Sequence, residues 1–269
     1  MALADRYGVL LLDLDGTIVR GDDPIPHAAE TVREVRARGV RTVFVTNNAT
    51  RTPADVVAHL ATAGVRARPN EVVTSAVATA SMLVSRGTRT ALVVGEAALR
   101  SALTAAGIEV VDDGSTGSPD VVVVGLDRTA TYGSLRGAAF AVERGAGLVA
   151  TNADGSFPVP GGLAPGAGAL LAAIEATTGV RGEVVGKPHP VLLQAARDRA
   201  DEEGAHPVLV VGDRLDTDVA GAAGLGWDSL LVLTGVTAPE DIGASGFRPT
   251  YVGGDLTALL ADPEPAQHA

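Results

Sequence analysis

Short apolar runs alternate along the chain with segments whose apolar residues recur at helical spacing. Three runs are typical of strands buried on both faces: GVLLLDL at 8–14, RTVFVT at 41–46 and PVLVV at 207–211. Helical spacing follows at 26–38, and Thr52-Pro53 begins a second helix with an N-cap residue and a proline in the first turn. A short strand near Val72 completes a βαβαβ order, which predicts a parallel sheet with right-handed crossovers.

The same alternation continues to the end of the chain. It predicts strands at 90–94, 108–111, 121–124, 147–150, 229–233 and 251–252, and helices at 76–85, 97–106, 132–143, 190–200 and 216–223. A Gly/Pro-rich segment at 158–168 leads into a further helix through Thr177. The composition of 112–119 is typical of a loop, and 262–269 is predicted to be a frayed tail.

Composition narrows the class of protein. The 269 residues are 46% hydrophobic, which excludes a mainly disordered chain, and no apolar run reaches the ~18 residues of a membrane helix. The absence of cysteine excludes disulfides and thiolate chemistry. A net charge of −11 and 3% aromatic residues disfavour nucleic-acid binding. Asp5 and Arg6 before the first apolar run argue against a signal peptide, so we expect a cytoplasmic location.

Lysine is almost absent from the chain. All but one of the 21 basic residues are arginine, and the exception is Lys187. Codon bias toward arginine explains the scarcity of lysine but not the position of this one. An ammonium is a compact point charge and a guanidinium a planar fork, so the two are not interchangeable. Gly186-Lys187-Pro188, just before a predicted helix, is therefore a candidate site, with a solvated loop cation as the alternative.

A pair of carboxylates follows the first strand in DLDGT at 13–17. If the strand continues, alternation places Asp13 and Asp15 on the same side, at the carboxyl end where open α/β sheets bind ligands. Two like charges this close repel each other unless a cation lies between them. An ordinary Asp-Gly turn is the alternative.

Two further strand ends carry polar residues. Thr46-Asn47-Asn48 follows the strand at 41–46, where a hydroxyl and amides can hold phosphate oxygens or simply cap the next helix. GDRLDTD at 212–218 follows the strand at 207–211, and its Asp213 is harder to explain as a helix cap than Asp216 or Thr217. Carboxylates that retain water and a substrate phosphate are what a Mg²⁺ site requires.

The domain organisation follows from the positions of these acids. Asp13 and Asp213 lie in the first and last thirds of the chain, so their meeting requires a discontinuous core. We predict an α/β fold in which a Rossmann-like, doubly wound parallel sheet spans 1–75 plus 185–269. An inserted α/β module spans 76–184.

The four motifs together, DLDGT, TNN, GKP and GDRLDTD in this order, resemble those of the haloacid dehalogenase superfamily of phosphohydrolases. The length between Asn48 and Lys187 is similar to that of subgroup IIA, the NagD-like and p-nitrophenyl phosphatase-like enzymes, which carry a large α/β cap there. Further similarity lies in the cap, in GLDR at 125–128, TNAD at 151–154 and PGAG at 165–168. The resemblance covers nearly the whole chain.

The resemblance implies roles residue by residue. Asp13 is expected to be the nucleophile that forms an aspartyl-phosphate, and Asp15 the general acid and base. Thr46 and Asn47, with Gly16, are expected to bind the phosphoryl group. Lys187 is expected to neutralise charge on Asp13 and the phosphate.

The resemblance also implies a metal site and a specificity site. Asp13, the backbone carbonyl of Asp15 and Asp213 are expected to hold Mg²⁺, and Asp218 to act on the metal directly or, as we favour, in a supporting role. In the cap, Arg128, Asn152 and Asp154 are candidates for substrate contacts, with ordinary loop chemistry as an equal alternative.

The leading hypothesis is a Mg²⁺-dependent phosphatase of small phosphomonoesters, with a mild preference for glycerol 3-phosphate or phosphoglycolate over nucleotide, sugar or pyridoxal phosphates. We expect a small phosphorylated metabolite as partner, with no nucleic acid and no membrane, and a homodimer only because many cap-bearing relatives dimerise. A phospho-acceptor signalling module is one alternative, which the general base Asp15 disfavours. A non-catalytic sensor of a phosphorylated metabolite is another.

Overall fold

The computed structural model describes residues 1–111, 118–201, 203–244 and 246–262. Most of the loop predicted at 112–119 and of the tail predicted at 262–269 lies outside the described residues.

The described residues form short strands and helices in alternation. The strands are β1 (Val9–Leu12), β2 (Val19–Arg20), β3 (Asp23–Pro24), β4 (Arg41–Thr46), β5 (Val72–Thr74), β6 (Thr90–Val94), β7 (Glu109–Val111), β8 (Val121–Val124), β9 (Gly147–Ala150), β10 (Ser156–Val159), β11 (Gly162–Pro165), β12 (Glu183–Val184), β13 (Val208–Gly212), β14 (Asp228–Val232) and β15 (Tyr251–Gly253). The helices are α1 (Ala28–Ala37), α2 (Pro53–Thr62), α3 (Ser75–Ser85), α4 (Ala97–Ala105), α5 (Tyr132–Glu143), α6 (Ala167–Thr178), α7 (Pro190–Ala200), α8 (Ala220–Gly224) and α9 (Asp241–Ala244).

The chain divides into two compact units. Unit 1 comprises Met1–Thr46, Pro53–Val73 and Lys187–Ala269, and unit 2 comprises Asn47–Thr52 and Thr74–Gly186.

Unit 1 is built on a six-stranded sheet in the order β15-β14-β13-β1-β4-β5. β1 is paired in parallel with both β13 and β4, so that Leu12 lies opposite Val211 and Phe44. All four residues of β1 are buried, because both faces of the sheet are covered. This is the predicted doubly wound α/β fold, and it aligns the carboxyl ends of β13, β1 and β4 at one edge.

Unit 2 is built on a second parallel sheet, in the order β12-β9-β8-β6-β7. Its centre is the four-valine strand β8, which is wholly buried, and α5 and α6 cover one face with an aliphatic cluster that includes Ala138 and Ile174. No helix within the described ranges combines the length and the apolar character that crossing a membrane requires.

One local prediction is wrong. β1 ends at Leu12 and not at Leu14, and Asp15 forms an isolated bridge with Val19, so the continued strand that the alternation argument requires is not present.

Two other segments gain detail. The Gly/Pro-rich segment at 158–168, for which the pattern predicted no element, contributes to the antiparallel hairpin β10–β11, since Gly161 and Gly162 adopt the positive φ angles of its turn. The helix predicted at 216–223 is present, and its first part, Leu215–Val219, is a π-helical turn that leads into α8.

Candidate active site

Acidic and hydroxyl side chains meet at the carboxyl edge of the unit 1 sheet. Asp13 follows β1, Asp213 follows β13, and the buried Thr46 is the last residue of β4. These strands are neighbours in the sheet, with β1 in the middle. The backbone N–H of Asp13 donates to the carbonyl of Val211 at 2.8 Å, so the ladder between β1 and β13 extends to the first acid.

Lys187 joins this edge from the loop before α7. Its ammonium nitrogen lies 2.5 Å from Oδ1 of Asp13 and 2.6 Å from Oδ1 of Asp218. The lysine side chain is 3% exposed, and the carboxylates of Asp13 and Asp218 are 12% and 2% exposed. A lysine this deeply buried is found where carboxylates compensate the loss of hydration.

Asp218 uses both of its carboxylate oxygens. Oδ1 accepts from Lys187, and Oδ2 accepts from the backbone N–H of Arg214 at 3.2 Å. The π-helical turn aims the side chain back at β13, where a Cβ on Gly212 would collide with the Asp218 carboxylate. This arrangement favours a supporting role for Asp218, which orients the lysine.

Asp213 presents one oxygen that nothing else engages. Its Oδ2 accepts from the backbone N–H of Val236 at 2.6 Å, whereas Oδ1 is buried and has no hydrogen-bond partner in the part of the chain that the structure describes. Gly16 packs against this carboxylate, and with φ +83° and no room for a Cβ the position requires glycine. A buried carboxylate oxygen without a donor is suited to a cation.

The pKa values of the cluster also indicate a cation site. Burial raises the pKa of Asp13 to about 8, although Lys187 opposes this shift. Burial lowers the pKa of Lys187, but the attraction of Asp13 and Asp218 is stronger and leaves it above its usual range. Burial also raises the pKa of Asp213 to about 6, against the N–H of Val236. The raised pKa values of Asp13 and Asp213 mean that Lys187 alone does not compensate the ionised forms of these carboxylates.

A divalent cation fits this donor set. One carboxylate oxygen from each of Asp13, Asp213 and Asp218 lies within 4.8 Å of the others. When all three carboxylates are ionised, they exceed the charge of the one ammonium by two negative charges, which a divalent cation balances, and an all-oxygen set is the kind that Mg²⁺ prefers.

Asp15 and Gly16 occupy the turn after β1. The Asp15 side chain is exposed and does not belong to the carboxylate group above. The N–H of Gly16 donates to the carbonyl of Val19 at 2.7 Å, and the expected contact of Gly16 with the phosphoryl group stays a prediction. The observed role of Gly16 is to leave room for Asp213.

Asn47 and Asn152 are joined within unit 2. The carbonyl of Asn47 accepts from the amide of Asn152 at 2.9 Å and from the hydroxyl of Ser75 at 2.6 Å. Asn152 is 7% exposed, and its Oδ1 accepts from the N–H of Asp154 at 3.1 Å. The amide of Asn152 thus fixes the segment that begins at Asn47, and its expected contact with substrate stays a prediction.

Arg128 also has a partner within unit 2. Its guanidinium pairs with Glu96 at 2.8 Å and is 61% exposed. Such an exposed pair adds little to stability, and it holds the arginine at the end of β8.

Sequence reasoning missed a further strand-end segment, Thr234–Thr237, which follows β14. It contacts both Gly16 and Asp213: Thr234 donates to the carbonyl of Gly16, and Val236 donates to Asp213. Only its position in the sequence could have identified this segment, since it follows a strand of the same sheet as the predicted acids.

Comparison with known proteins places the chain among hydrolases. Residues 10–109 match the model of the haloacid dehalogenase-like hydrolases, and residues 184–259 match a second HAD-hydrolase-like model. These two matches contain all four core motifs.

Individual relatives match nearly the whole chain. The chain is 42% identical to the D-glycerol 3-phosphate phosphatase of Mycobacterium tuberculosis, over 97% of this chain and 73% of that protein. It is 38% identical to the acid sugar phosphatase of Staphylococcus epidermidis, over 96% and 99%.

Solved structures agree with these relatives. A crystal structure of the glycerol phosphate phosphatase from M. tuberculosis in complex with magnesium matches at a TM-score of 0.90 and 40% identity, covering 97% of this chain and 79% of that one. The p-nitrophenyl phosphatase of Archaeoglobus fulgidus matches at 0.87 and 32%, covering 94% and 98%. The chain belongs to the haloacid dehalogenase-like hydrolase family, in its subgroup IIA.

Proposed function

We propose that this chain is a Mg²⁺-dependent phosphatase that hydrolyses small phosphomonoesters through an aspartyl-phosphate on Asp13. The observation that carries the proposal is the buried cluster of unit 1, in which Lys187 bridges Asp13 and Asp218 while one oxygen of Asp213 accepts from no donor among the described residues. Phosphoryl transfer depends mainly on positioning and on neutralisation of charge, and this cluster supplies a nucleophile, a fixed cation and a metal site.

The first half of the reaction transfers the phosphoryl group. An oxygen of Asp13 attacks phosphorus, and the bond between phosphorus and the ester oxygen breaks. Asp15 donates its proton to the departing oxygen, so the product leaves as an alcohol. Thr46 and Asn47 bind phosphoryl oxygens, and Lys187 offsets the negative charge that gathers beside Asp13.

The second half regenerates the enzyme. Asp15, now a carboxylate, takes a proton from water, and the water oxygen attacks the phosphorus of the aspartyl-phosphate. The bond between phosphorus and Asp13 breaks, which releases inorganic phosphate. The exposure of Asp15 supports this role, because the group must meet solvent between the two halves.

Asp13, Asp213 and the backbone carbonyl of Asp15 would hold Mg²⁺, and Asp218 supports the site by orienting Lys187. When bound, the metal withdraws charge from the phosphoryl oxygens and offsets the repulsion between the ester and the carboxylates. The unpartnered Oδ1 of Asp213 supports this assignment.

The proposed leading substrate is glycerol 3-phosphate. The relative of 42% identity is a D-glycerol 3-phosphate phosphatase, and the one of 38% identity acts on sugar phosphates by its name. Phosphoglycolate, nucleotides and sugar phosphates are the competitors that an assay panel must include.

The proposal assigns each unit a task. Unit 1 is the catalytic core and unit 2 the cap that selects the substrate. The spans predicted from the sequence, 1–75 plus 185–269 for the core and 76–184 for the cap, differ from these units chiefly at 47–52, which belongs to unit 2. The net charge of −11 supports a small metabolite rather than nucleic acid as partner. The cysteine-free composition accords with the cytoplasm. The homodimer expected from the resemblance is tested by light scattering.

The direct test is phosphate release from this panel, with and without Mg²⁺, for the wild type and Asp13→Asn. The matched control is Asp216→Asn, because Asp216 is an exposed acid of the same motif that pairs with Arg214. Release that requires Mg²⁺, persists in the control and is lost in Asp13→Asn is expected. Release that survives in Asp13→Asn would remove Asp13 as the nucleophile.

A further inference from the structure

The segment Thr234–Thr237 has no part in the reaction described above, yet it contacts two sides of the metal site. It follows β14, which neighbours β13 in the sheet, and it therefore emerges at the same edge as Asp13 and Asp213.

One end of the segment holds the turn after β1. The hydroxyl of Thr234 donates to the carbonyl of Gly16 at 2.6 Å. The carbonyl of Thr234 accepts from the guanidinium of Arg20 at 2.6 Å, so a second hydrogen bond links the segment to β2, which follows this turn. Gly16 directly follows Asp15, whose carbonyl is assigned to the metal, so the contact restrains one proposed ligand.

The other end holds Asp213. The backbone N–H of Val236 donates to Oδ2 at 2.6 Å, and the N–H of Thr237 donates to the Asp213 carbonyl at 3.3 Å. With Oδ2 occupied, Oδ1 is the oxygen left for a cation. Gly235 packs so closely on this carboxylate that a Cβ would collide with it.

The contacts with Gly16 and Asp213 are polar. Val236 is 72% exposed and Gly235 is exposed as well, whereas Thr237 is buried. A segment whose only task was to fill the core would bury its side chains, whereas this one directs a hydroxyl and two backbone N–H groups at the site.

We propose that Thr234–Thr237 is a positioning element of the metal site, and that the Thr234 hydroxyl sets the distance between the Asp15 turn and Asp213. The inference rests on the proposed function, since it concerns the same Mg²⁺ site. Groups that orient the ligands of a metal typically contribute about 10- to 100-fold to metal affinity or activity.

The test is Mg²⁺ binding measured by titration calorimetry on the full chain, together with the KM for the best phosphoester. Thr234→Val removes the donor at nearly constant volume, and Thr234→Ser restores it. The matched control is Thr62→Val, because the Thr62 hydroxyl also donates to a backbone carbonyl, that of His59, within unit 1 but in α2. Melting temperatures are recorded for every variant.

Thr234→Val is expected to weaken Mg²⁺ binding about tenfold with an unchanged substrate KM, Thr234→Ser to recover it, and Thr62→Val to leave it unchanged. Should Thr234→Val fail to fold, Gly235→Ala takes its place in the test. Gly235 is exposed, and the added Cβ would displace the Asp213 carboxylate, so this variant is also expected to weaken Mg²⁺ binding. Equal Mg²⁺ affinity in wild type and folded Thr234→Val overturns the inference while the proposed function stands. A wild type that neither binds Mg²⁺ nor releases phosphate overturns both.

Discussion

The ammonium nitrogen of Lys187 lies 2.5 Å from Oδ1 of Asp13, although 174 positions separate the two residues in the chain. The contact forms because β1 lies at the centre of the unit 1 sheet and α7, which follows Lys187, packs its apolar residues into the same unit. The chemistry of the site thus depends on the pairing of strands from both ends of the chain.

Lys187→Arg is expected to lower kcat by roughly 100-fold or more. The space between Asp13 and Asp218 accommodates a point charge, and a planar guanidinium needs more room in a place that is almost fully buried. Steady-state kinetics at saturating Mg²⁺ measure the effect. The control is Arg199→Lys, which exchanges the same two residue types at an exposed position of α7. A Lys187→Arg enzyme whose kcat lies within a few-fold of the wild-type value would contradict the proposed role of Lys187.

Gly212→Ala is expected to disable the enzyme by moving Asp218. A Cβ at this position collides with the Asp218 carboxylate, which would shift Lys187 in turn. Misplacement of a catalytic group by ~1 Å costs on the order of 100-fold in rate. Gly224→Ala is the matched control, since that glycine has open space around it. Equal activity of the two variants would refute a positioning role for Asp218.

Acid stability should depend on Asp201. The backbone N–H of His206 donates to Asp201 and lowers its pKa to about 2. Burial opposes this shift, and hydrogen bonds from the His206 ring and from Arg41 add to it. Because the folded state holds this proton less tightly than the unfolded chain, the contribution is present above about pH 4 and is lost as pH falls toward 2.

Thermal melts of Asp201→Asn test this dependence. The variant should melt below the wild type at pH 7, and the difference should shrink by pH 3. Asp198→Asn is the control, because Asp198 is a mostly exposed acid in α7, the helix that ends just before Asp201. A melting difference that stays constant from pH 7 to pH 3 would exclude the proposed linkage.

Stabilisation by Mg²⁺ should grow with pH. The pKa values of Asp13, about 8, and Asp213, about 6, lie above the roughly 3.9 of an unfolded aspartate. Without metal, the folded protein therefore binds more protons than the unfolded chain between about pH 4 and 8, and these groups lower its stability as pH rises through that range.

The measurement is the rise in melting temperature on adding Mg²⁺, recorded at pH 5 and pH 8. We expect the larger rise at pH 8, where no proton competes at Asp213 and fewer compete at Asp13. Asp213→Asn should abolish most of the rise at both values. Equal shifts at pH 5 and pH 8 would mean that the cation binds elsewhere.

The proximity of Asp13, Thr46 and Asp213 could be anticipated because each residue ends a strand of one parallel sheet, and parallel strands share a carboxyl edge. The orientation of Asp15 could not, because the pattern GVLLLDL does not reveal that β1 ends at Leu12. Periodicity marks which residues are buried, but it does not mark the residue at which a strand ends.

Other features depend on contacts that sequence patterns do not encode. The π-helical turn that directs Asp218 toward Lys187 resembles an ordinary helix start in sequence. Thr234 and Val236 act through one hydroxyl and one backbone N–H, and their composition is that of any turn. The hydrogen bond from Asn152, a cap candidate taken from the family resemblance, to the carbonyl of Asn47 is another such contact.

The most direct test of an aspartyl-phosphate on Asp13 is a pre-steady-state measurement on Asp15→Asn with p-nitrophenyl phosphate. This leaving group needs no proton, so Asp13 should be phosphorylated normally, while water attack should stall without the base. The aspartyl-phosphate mechanism predicts a burst of p-nitrophenol equal to the enzyme concentration and a phosphorylated Asp13 in the quenched protein, both absent in Asp13→Asn/Asp15→Asn. Slow turnover without a burst and without phosphate on Asp13 would contradict it.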